Sequence, residues 1–269
     1  MRDRFEVGEL FSGIGGFGIA ASTFGGVVKW ASDIEPYALS VYARHFPEVR
    51  QVGNIREWMP NPEIDRVDLI TGGFPCQPAS QAGSRLGVED SRWLWPEYAR
   101  VIETLRPRYV LAENVSGLRT VNDGAAFESV LASLDKIGYD VEWESIPASA
   151  VGALHGRDRL WIVAYPRVLG QMADGQLDLF GGAPADKPAG FVFDNLEDHL
   201  RSFKESRGAQ FWQLEPKDTP RIAAPDPTVR HRLRCLGNAI VPAVAEFVIS
   251  RILDFDARLG ELPSATAAA

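Results

Sequence analysis

Apolar, strand-like segments alternate with amphipathic, helix-like segments over the first 165 residues of the chain. Short apolar runs bounded by turn residues are typical of buried strands, and apolar residues three or four apart are typical of helices packed on a sheet. The predicted strands are residues 6–11, 27–32, 67–71, 109–113 and 159–165, and the predicted helices are residues 36–45, 93–105 and 125–137. This alternation predicts an α/β fold, a doubly wound and mostly parallel sheet with ligands at the carboxyl ends of its strands.

The alternation stops after residue 165. Residues 170–190 are rich in Gly, Ala, Pro and Asp, which predicts a loop or linker, and regularity stays weak up to about residue 228. Residues 239–259 then predict one long amphipathic helix. We therefore expect a main domain at 1–165, a small inserted domain at 166–229, a segment at 230–260 that returns to the main domain, and a disordered tail at 261–269.

Composition narrows the class of protein. The chain has 2 cysteines, too few for a disulfide framework, which indicates a reducing compartment such as the cytoplasm. No uninterrupted apolar run approaches the roughly 20 residues that span a bilayer, so we expect no membrane partner. The net charge of −8 argues weakly against binding of nucleic acid. Arginines nevertheless flank the acidic stretch 171–198, so the protein can still have a basic face that binds phosphate.

A glycine-rich turn follows the first predicted strand. Gly13, Gly15 and Gly18 satisfy the pattern G-x-G-x-x-G, which allows a tight turn and close backbone approach to a ligand. Asp33 ends the second strand, where a carboxylate can accept hydrogen bonds from ribose hydroxyls. The pattern predicts a nucleoside-containing cofactor, and by itself it fits a nicotinamide dehydrogenase as well as a methyltransferase.

A cysteine stands just after the third predicted strand, in the run Gly72-Gly73-Phe74-Pro75-Cys76-Gln77-Pro78. A cysteine kept only for packing needs no proline on each side, whereas a thiol nucleophile gains from rigid presentation. Glu113 ends the next strand, so it should project at the same edge of the sheet. A carboxyl group beside a thiol suits covalent catalysis with general acid help, which predicts Cys76 and Glu113 as a catalytic pair.

Five short motifs occur in order along the chain: Phe11-Ser12-Gly13-x-Gly15-Gly16, Pro75-Cys76-Gln77, Glu113-Asn114-Val115, Arg157-x-Arg159 and Gly237-Asn238-Ala239. Together they closely resemble the ordered motifs of the DNA (cytosine-5) methyltransferases, over residues 7–250 except the weakly patterned part after residue 165. The resemblance implies a sheet of the S-adenosylmethionine-dependent methyltransferase (Rossmann-like) type. Residues 1–165 would form the catalytic and cofactor-binding domain, and residues 166–229 a small target recognition domain.

The resemblance also implies a reaction. Cys76 would attack C6 of cytosine, Glu113 would support protonation at N3, and C5 would take a methyl group from S-adenosyl-L-methionine. Arg157 and Arg159 match the family's Arg-x-Arg and would supply positive charge near the thiolate or hold the base or the backbone. Because the target carbon is stacked inside duplex DNA, the base must be flipped into a pocket.

Further residues follow from the same resemblance. Those expected to bind the cofactor are Phe11, Ser12, Gly13, Ile14, Gly15, Gly16, Asp33, Ile34, Asn54, Ile55, Pro75, Leu94, Asn238 and Ala239. Those expected to contact DNA are Gln77, Ser80, Arg85, Asn114 and Val115. Residues 81–90 resemble the family's mobile active-site loop, which would close over the flipped cytosine, and no metal site is expected.

The chain departs from the family pattern in places. Asn54 stands where the family often has an Asp that accepts a hydrogen bond from the adenine amino group. The side-chain oxygen of Asn54 can accept the same hydrogen bond, but it carries no charge. His155 replaces a usual Gln, and Trp93 replaces a usual Gly. The family's segment built around Arg-x-Leu-Thr is not visible, and residues 226–234 would substitute for it. None of these departures touches Cys76 or Glu113.

Three alternatives stay open: a nicotinamide-dependent oxidoreductase, a tRNA cytosine-5 methyltransferase of the same family, and a DNA-binding protein that has lost catalysis. The glycine turn permits the first, the recognition segment does not exclude the second, and intact Cys76 and Glu113 disfavour the third. The expected partners are double-stranded DNA and a companion restriction endonuclease. We expect a monomer in the cytoplasm of a bacterium, encoded by the bacterium or by a phage.

Overall fold

Seven strands form one sheet in the computed structural model, which describes residues 4–75, 93–169, 192–207 and 227–261. The strand order is β3-β2-β1-β4-β5-β7-β6. The strands are β1 Phe5–Leu10, β2 Gly26–Ser32, β3 Arg50–Gln51, β4 Leu69–Gly73, β5 Tyr109–Val115, β6 Tyr139–Pro147 and β7 Asp158–Pro166. The first five run parallel, whereas β7 pairs antiparallel with both β5 and β6. The predicted α/β class with a mostly parallel sheet is confirmed.

Helices cover both faces of this sheet. They are α1 Gly16–Ser22, α2 Pro36–His45, α3 Trp95–Leu105, α4 Ala125–Ile137, α5 Leu196–Arg207, α6 Pro227–Asn238 and α7 Pro242–Glu261. Pro36 lies in the first turn of α2, where its missing N–H has no helical partner to lose. Gly138 ends α4 in the left-handed conformation, with φ of 91°, as its position after the amphipathic run predicts.

The core has two layers because successive strand residues point to opposite faces. In β5, Tyr109 and Leu111 pack with α1 and α7, whereas Val110 and Ala112 pack with α3 and α4. Strands buried on both faces carry continuous apolar runs, which is why the sequence pattern marks the central strands clearly.

The segment His231–Leu259 is long and apolar enough to span a membrane by length and composition, although charged residues such as Glu246 and Arg251 interrupt it. Half of its apolar window is buried inside the protein. The buried side chains Glu246, Arg251 and Asp256 on α7 form ion pairs with Arg207, Asp254 and Arg108. An apolar face buried against a sheet, with paired charges on it, is that of a core helix.

Several elements differ from the predicted ones. The predicted helix at 239–259 begins at Pro242, and a separate helix, α6, precedes it. Strand β6 was not predicted, because it lies at the sheet edge and carries the acidic residues Asp140, Glu142 and Glu144. Helix α5 lies inside the predicted recognition domain, and its Leu200 and Phe203 pack on the same core layer as α7. The predicted tail begins at residue 261, which is the last residue of α7, and residues 262–269 and most of the recognition segment lie outside the described residues.

Candidate active site

The carboxyl ends of β4 and β5 lie side by side. Gly73 pairs with Glu113 in the parallel ladder, so the chain that leaves β4 towards Pro75 starts next to the Glu113 carboxyl group. A Cβ atom at Gly73 would lie 2.9 Å from Oε2 of Glu113. Glycine at this position therefore leaves the space that the carboxyl group occupies.

Asn114 ties the two strand ends together. Its Nδ2 donates to the carbonyl oxygen of Phe74 at 3.0 Å, and its Oδ1 accepts from the N–H of Val115 at 2.8 Å. Asn114 is buried, so the structure gives this predicted DNA-contact residue a positioning role, and its contact with DNA stays a prediction. Phe74 is two residues before Cys76, which lies outside the described residues together with Gln77, Ser80 and Arg85.

An aromatic cluster fixes Phe74 from the other side. The ring of Trp93 packs edge-on against Phe74 with centroids 5.7 Å apart, and Trp95 lies at 4.9 Å. Trp93 is buried, so the residue that replaces the family's usual Gly serves to pack the chain that leads to Cys76. The sequence alone shows that Trp93 departs from the family pattern, but it does not show which residues Trp93 contacts.

Glu113 is a buried carboxyl group, 7% exposed, with a cation beside it. The Nε atom of Arg159 lies 2.9 Å from Oε1 of Glu113. The contact is an ion pair, since Oε1 accepts no hydrogen bond of regular geometry from the described residues. Burial raises the pKa of Glu113 to about 7, and the charges of Arg159 and Arg157 oppose that rise.

The two arginines of the Arg-x-Arg motif have different partners. Arg159 pairs with Glu113, whereas Nη1 of Arg157 donates to the carbonyl oxygen of Gly237 at 2.8 Å. Arg157 therefore joins the turn before β7 to the end of α6. A cavity of about 530 Å³ lies at this junction, lined by Ile14, Gly16, Ile19, His155, Arg157, Leu236, Ala239, Ile240, Val241 and Pro242.

The glycine turn after β1 lies at the same edge of the sheet. Leu10 pairs with Gly72 at the end of β4, and the turn then passes through Gly13 and Gly15, with φ of 53° and 91°. Such positive angles favour glycine. Gly16 leaves no room for a side chain, because a Cβ atom there would lie 2.7 Å from Ile240. Gly16 and Ala239, which belong to two of the five motifs, both line the cavity, and their contact with a cofactor stays a prediction.

Asp33 binds the turn through its carboxylate. Oδ2 accepts from the N–H of Gly13 at 2.7 Å, and Oδ1 accepts from Ile34 and Glu35 at 2.7 and 2.8 Å. A carboxylate offers about four lone-pair positions, so one is left for a ribose hydroxyl. The side chain of Ile34 next to it is 69% exposed, and an apolar side chain so placed can pack on a flat ring.

The remaining predicted cofactor residues differ in burial and in free hydrogen-bonding capacity. Phe11, Leu94 and Ala239 are partly buried at this edge, Asn238 is exposed, and the hydroxyl of Ser12 is buried without a hydrogen-bond partner among the described residues. Ile55 has a buried side chain, so only its backbone can face a ligand. Asn54 accepts from the N–H of Arg56 at 3.1 Å and donates to Glu57 at 2.9 Å, so part of its capacity is already used.

Comparison with known proteins agrees with the interpretation of the site's geometry. The model of the C-5 cytosine-specific DNA methylase family matches residues 5–178. The type II methyltransferase M.HgiCII of Herpetosiphon aurantiacus is 32% identical over 168 residues, 62% of this chain and 38% of that protein. M.NgoBI of Neisseria gonorrhoeae is 36% identical over 158 residues, 58% of this chain and 49% of that protein. The chain thus spans less than half the length of these relatives.

Solved structures show a similar fold. A putative DNA modification methyltransferase from an E. coli prophage matches with a TM-score of 0.62 over 94% of this chain and 99% of that one, at 20% identity. The Dnmt2 methyltransferase of S. pombe matches with a TM-score of 0.61 over 93% of this chain and 99% of that one, at 18% identity. At such identities the likeness concerns the fold alone. The family match, in contrast, covers more than half of the sequence, and the chain belongs to the C-5 cytosine-specific DNA methylase family.

Proposed function

We propose that this chain transfers the methyl group of S-adenosyl-L-methionine to C5 of cytosine in duplex DNA, with Cys76 as covalent nucleophile. The main support for this proposal is the position of Glu113. It is a buried carboxyl group, paired with Arg159, on the strand beside the one that leads to Cys76. Membership of the family and the similarity to type II methyltransferases support the same chemistry.

Glu113 suits the role of a proton donor to the base. The Cys76 thiolate would add to C6 of cytosine, and the electron pair displaced from the ring would be taken up as N3 gains a proton. With a pKa of about 7, the Glu113 carboxyl group is partly protonated at neutral pH and can give that proton. Arg159 then stabilises the carboxylate that remains.

Addition of a thiolate at C6 gives C5 the character of an enamine carbon, a nucleophile that free cytosine lacks. Once C5 carries the methyl group, its proton leaves to a base, and the bond between C6 and the Cys76 sulfur breaks. The proton on N3 returns to the Glu113 carboxylate, and these steps together restore the aromatic ring, the thiolate and the Glu113 carboxyl group. Arg157, held by Gly237 at 2.8 Å, would keep the cofactor side of the site in place during the cycle.

The glycine turn fits S-adenosyl-L-methionine. Asp33 has capacity left for a ribose hydroxyl, Ile34 offers an exposed apolar surface, and Ser12 holds a buried hydroxyl without a partner in the described part of the chain. Asn54 would accept from the adenine amino group with its remaining capacity. The cofactor, when bound, supplies an electrophilic methyl group.

We further propose that residues 166–229 form a compact target recognition domain and that the protein acts as a monomer on DNA in the bacterial cytoplasm. The curated relatives are type II methyltransferases, which supports a role beside a restriction endonuclease. Flipping of the target base out of the duplex costs a few kcal/mol, which contacts from this domain and from residues 81–90 would offset.

The test is to map methylated cytosines in DNA and in tRNA from cells that express the chain. Wild-type protein should give 5-methylcytosine at one short sequence, and Cys76→Ser should give none. Cys235→Ser is the matched control, since the other cysteine is a buried residue of α6 and should be dispensable. Methylation that survives Cys76→Ser contradicts the proposal, and 5-methylcytosine confined to tRNA would identify the RNA-modifying alternative.

A further inference from the structure

Glu9 is a carboxyl group without exposed surface, and no step of the proposed reaction uses it. It lies next to the end of β1, below the glycine turn. Oε1 accepts from the N–H of Gly18 at 2.7 Å, and Oε2 accepts from the hydroxyl of Tyr42. A buried carboxyl group is costly unless its oxygens are paired, and here both are.

The contact with Gly18 replaces a missing helix cap. The first N–H groups of a helix have no partner inside the helix and are normally bound by a side chain at the N-cap. The N-cap of α1 is Gly15, whose φ of 91° favours glycine and which has no side chain to offer. Glu9 therefore provides, from the neighbouring strand, the acceptor that the turn cannot provide for itself.

Two carboxyl groups hold the turn at its two ends. Asp33 accepts from Gly13 at 2.7 Å, and Glu9 accepts from Gly18 at 2.7 Å. Tyr42 lies on α2, the helix that begins just after Asp33, so its bond to Glu9 joins both supports into one unit. The Glu9 carboxyl group packs closely against α1, because a Cβ atom at Gly18 would lie 2.9 Å from Oε2 of Glu9.

We propose that Glu9 and Tyr42 are positioning residues that hold residues 11–18 in the shape that binds S-adenosyl-L-methionine. The inference rests on the proposed cofactor. Neither side chain needs to touch the ligand. They act through the backbone of the turn, whose N–H and carbonyl groups are aimed correctly only while both ends are held.

The test compares Glu9→Gln and Tyr42→Phe in the full chain. Glu9→Gln keeps the shape of its side chain and replaces one acceptor oxygen with an amide NH2 group, whereas Tyr42→Phe removes the hydroxyl donor. Affinity for S-adenosyl-L-methionine is measured by calorimetry. The rate of covalent adduct formation with DNA that contains 5-fluorocytosine is measured at saturating cofactor. Thermal melting reports folding. We expect the Kd to rise about tenfold in Glu9→Gln, a change of about 1.4 kcal/mol, and severalfold in Tyr42→Phe.

A positioning role predicts that the rate at saturating cofactor stays near the wild-type value while the Kd rises. Asp256→Asn is the matched control, because Asp256 is also a buried carboxylate that accepts a tyrosine hydroxyl, that of Tyr109, at the amino end of β5. It should lower the melting temperature and leave the Kd unchanged.

Two results would overturn the inference. One is an unchanged Kd in Tyr42→Phe, the variant that perturbs folding least, and the other is an equal rise of the Kd in Asp256→Asn. Failure of the proposed function looks different, because wild-type protein would then form no adduct with DNA that contains 5-fluorocytosine, or, if the proposed cofactor is wrong, would bind no S-adenosyl-L-methionine at all.

Discussion

Arg159 lies with its Nε atom 2.9 Å from Oε1 of Glu113, across the antiparallel pair of β5 and β7. Arg159 pairs in register with Val115, two residues beyond Glu113, so the two side chains emerge from the same face of the sheet. Because β7 runs antiparallel to the strands before it, its amino end lies at the edge where β4 and β5 end. The Arg-x-Arg motif is at that end of β7.

Replacement of Arg159 should move the pH dependence of catalysis. Arg159→Ala removes the cation that lowers the pKa of Glu113, so the carboxyl group should stay protonated to higher pH. The alkaline limb of the pH–rate profile for adduct formation should therefore shift to higher pH. The maximum rate should fall about tenfold or more. Arg159→Lys keeps the charge and should shift the limb less. An unshifted limb in Arg159→Ala would mean that the two groups are not coupled.

Stability should depend on pH through Glu113. Its pKa rises from 4.5 to about 7 on folding, so the folded state binds the proton more tightly than the unfolded state. The resulting stabilisation is complete below about pH 4.5 and is lost as the pH rises through about 7. Glu113→Gln lacks this dependence, so the difference in unfolding free energy between wild type and variant should change on the order of 3 kcal/mol across that window. Denaturant titrations at pH 5 and pH 8 measure it, and parallel curves would contradict the assignment.

Asn114 should matter for the rate and not for the cofactor. Asn114→Ala leaves the carbonyl oxygen of Phe74 without its donor and frees the chain before Cys76. We expect adduct formation to slow about tenfold, since an unpaired buried acceptor costs about 1–3 kcal/mol. The Kd for S-adenosyl-L-methionine should stay within a factor of two of wild type by calorimetry. A weaker Kd with an unchanged rate would reverse the role given to Asn114.

Gly73 should tolerate no side chain. In Gly73→Ala, the new Cβ atom would lie 2.9 Å from Oε2 of Glu113, so the carboxyl group must move. A displacement of about 1 Å can lower the rate a hundredfold, and steady-state methylation assays should show a loss of that order. Gly156→Ala is the control, since a Cβ atom there meets nothing within 4 Å. Equal activity in the two variants would show that the position of Glu113 is not critical.

Much of the fold could be predicted because the central strands are buried on both faces and read as apolar runs. Helix α2 and helix α4 have the predicted bounds, and their ends carry proline and glycine. Strand β6 and helix α5 were missed for a physical reason. Each is half exposed and rich in charge, so its apolar face is too short to give a clear period.

The candidate site could be predicted as a set of residues and not as a set of contacts. Motif order places Glu113 and Arg159 in one site, and the structure brings them together. The partner of Arg157 is Gly237, 80 residues away, and nothing in the local pattern indicates that bond. Glu9 and Trp93 were not recognised as supports, because their roles depend on tertiary packing against Tyr42 and Phe74.

Cys76 should form a covalent bond with C6 of cytosine while Glu113 assists. The most direct measurement is mass spectrometry of the protein after incubation with S-adenosyl-L-methionine and duplex DNA that contains 5-fluorocytosine. Fluorine at C5 cannot leave as a proton does, so the adduct should persist through denaturation, and peptide mapping should place it on Cys76. Glu113→Gln should form it more slowly. An adduct on Cys235, or none on wild-type protein with DNA that is otherwise methylated, would show that Cys76 is not the nucleophile.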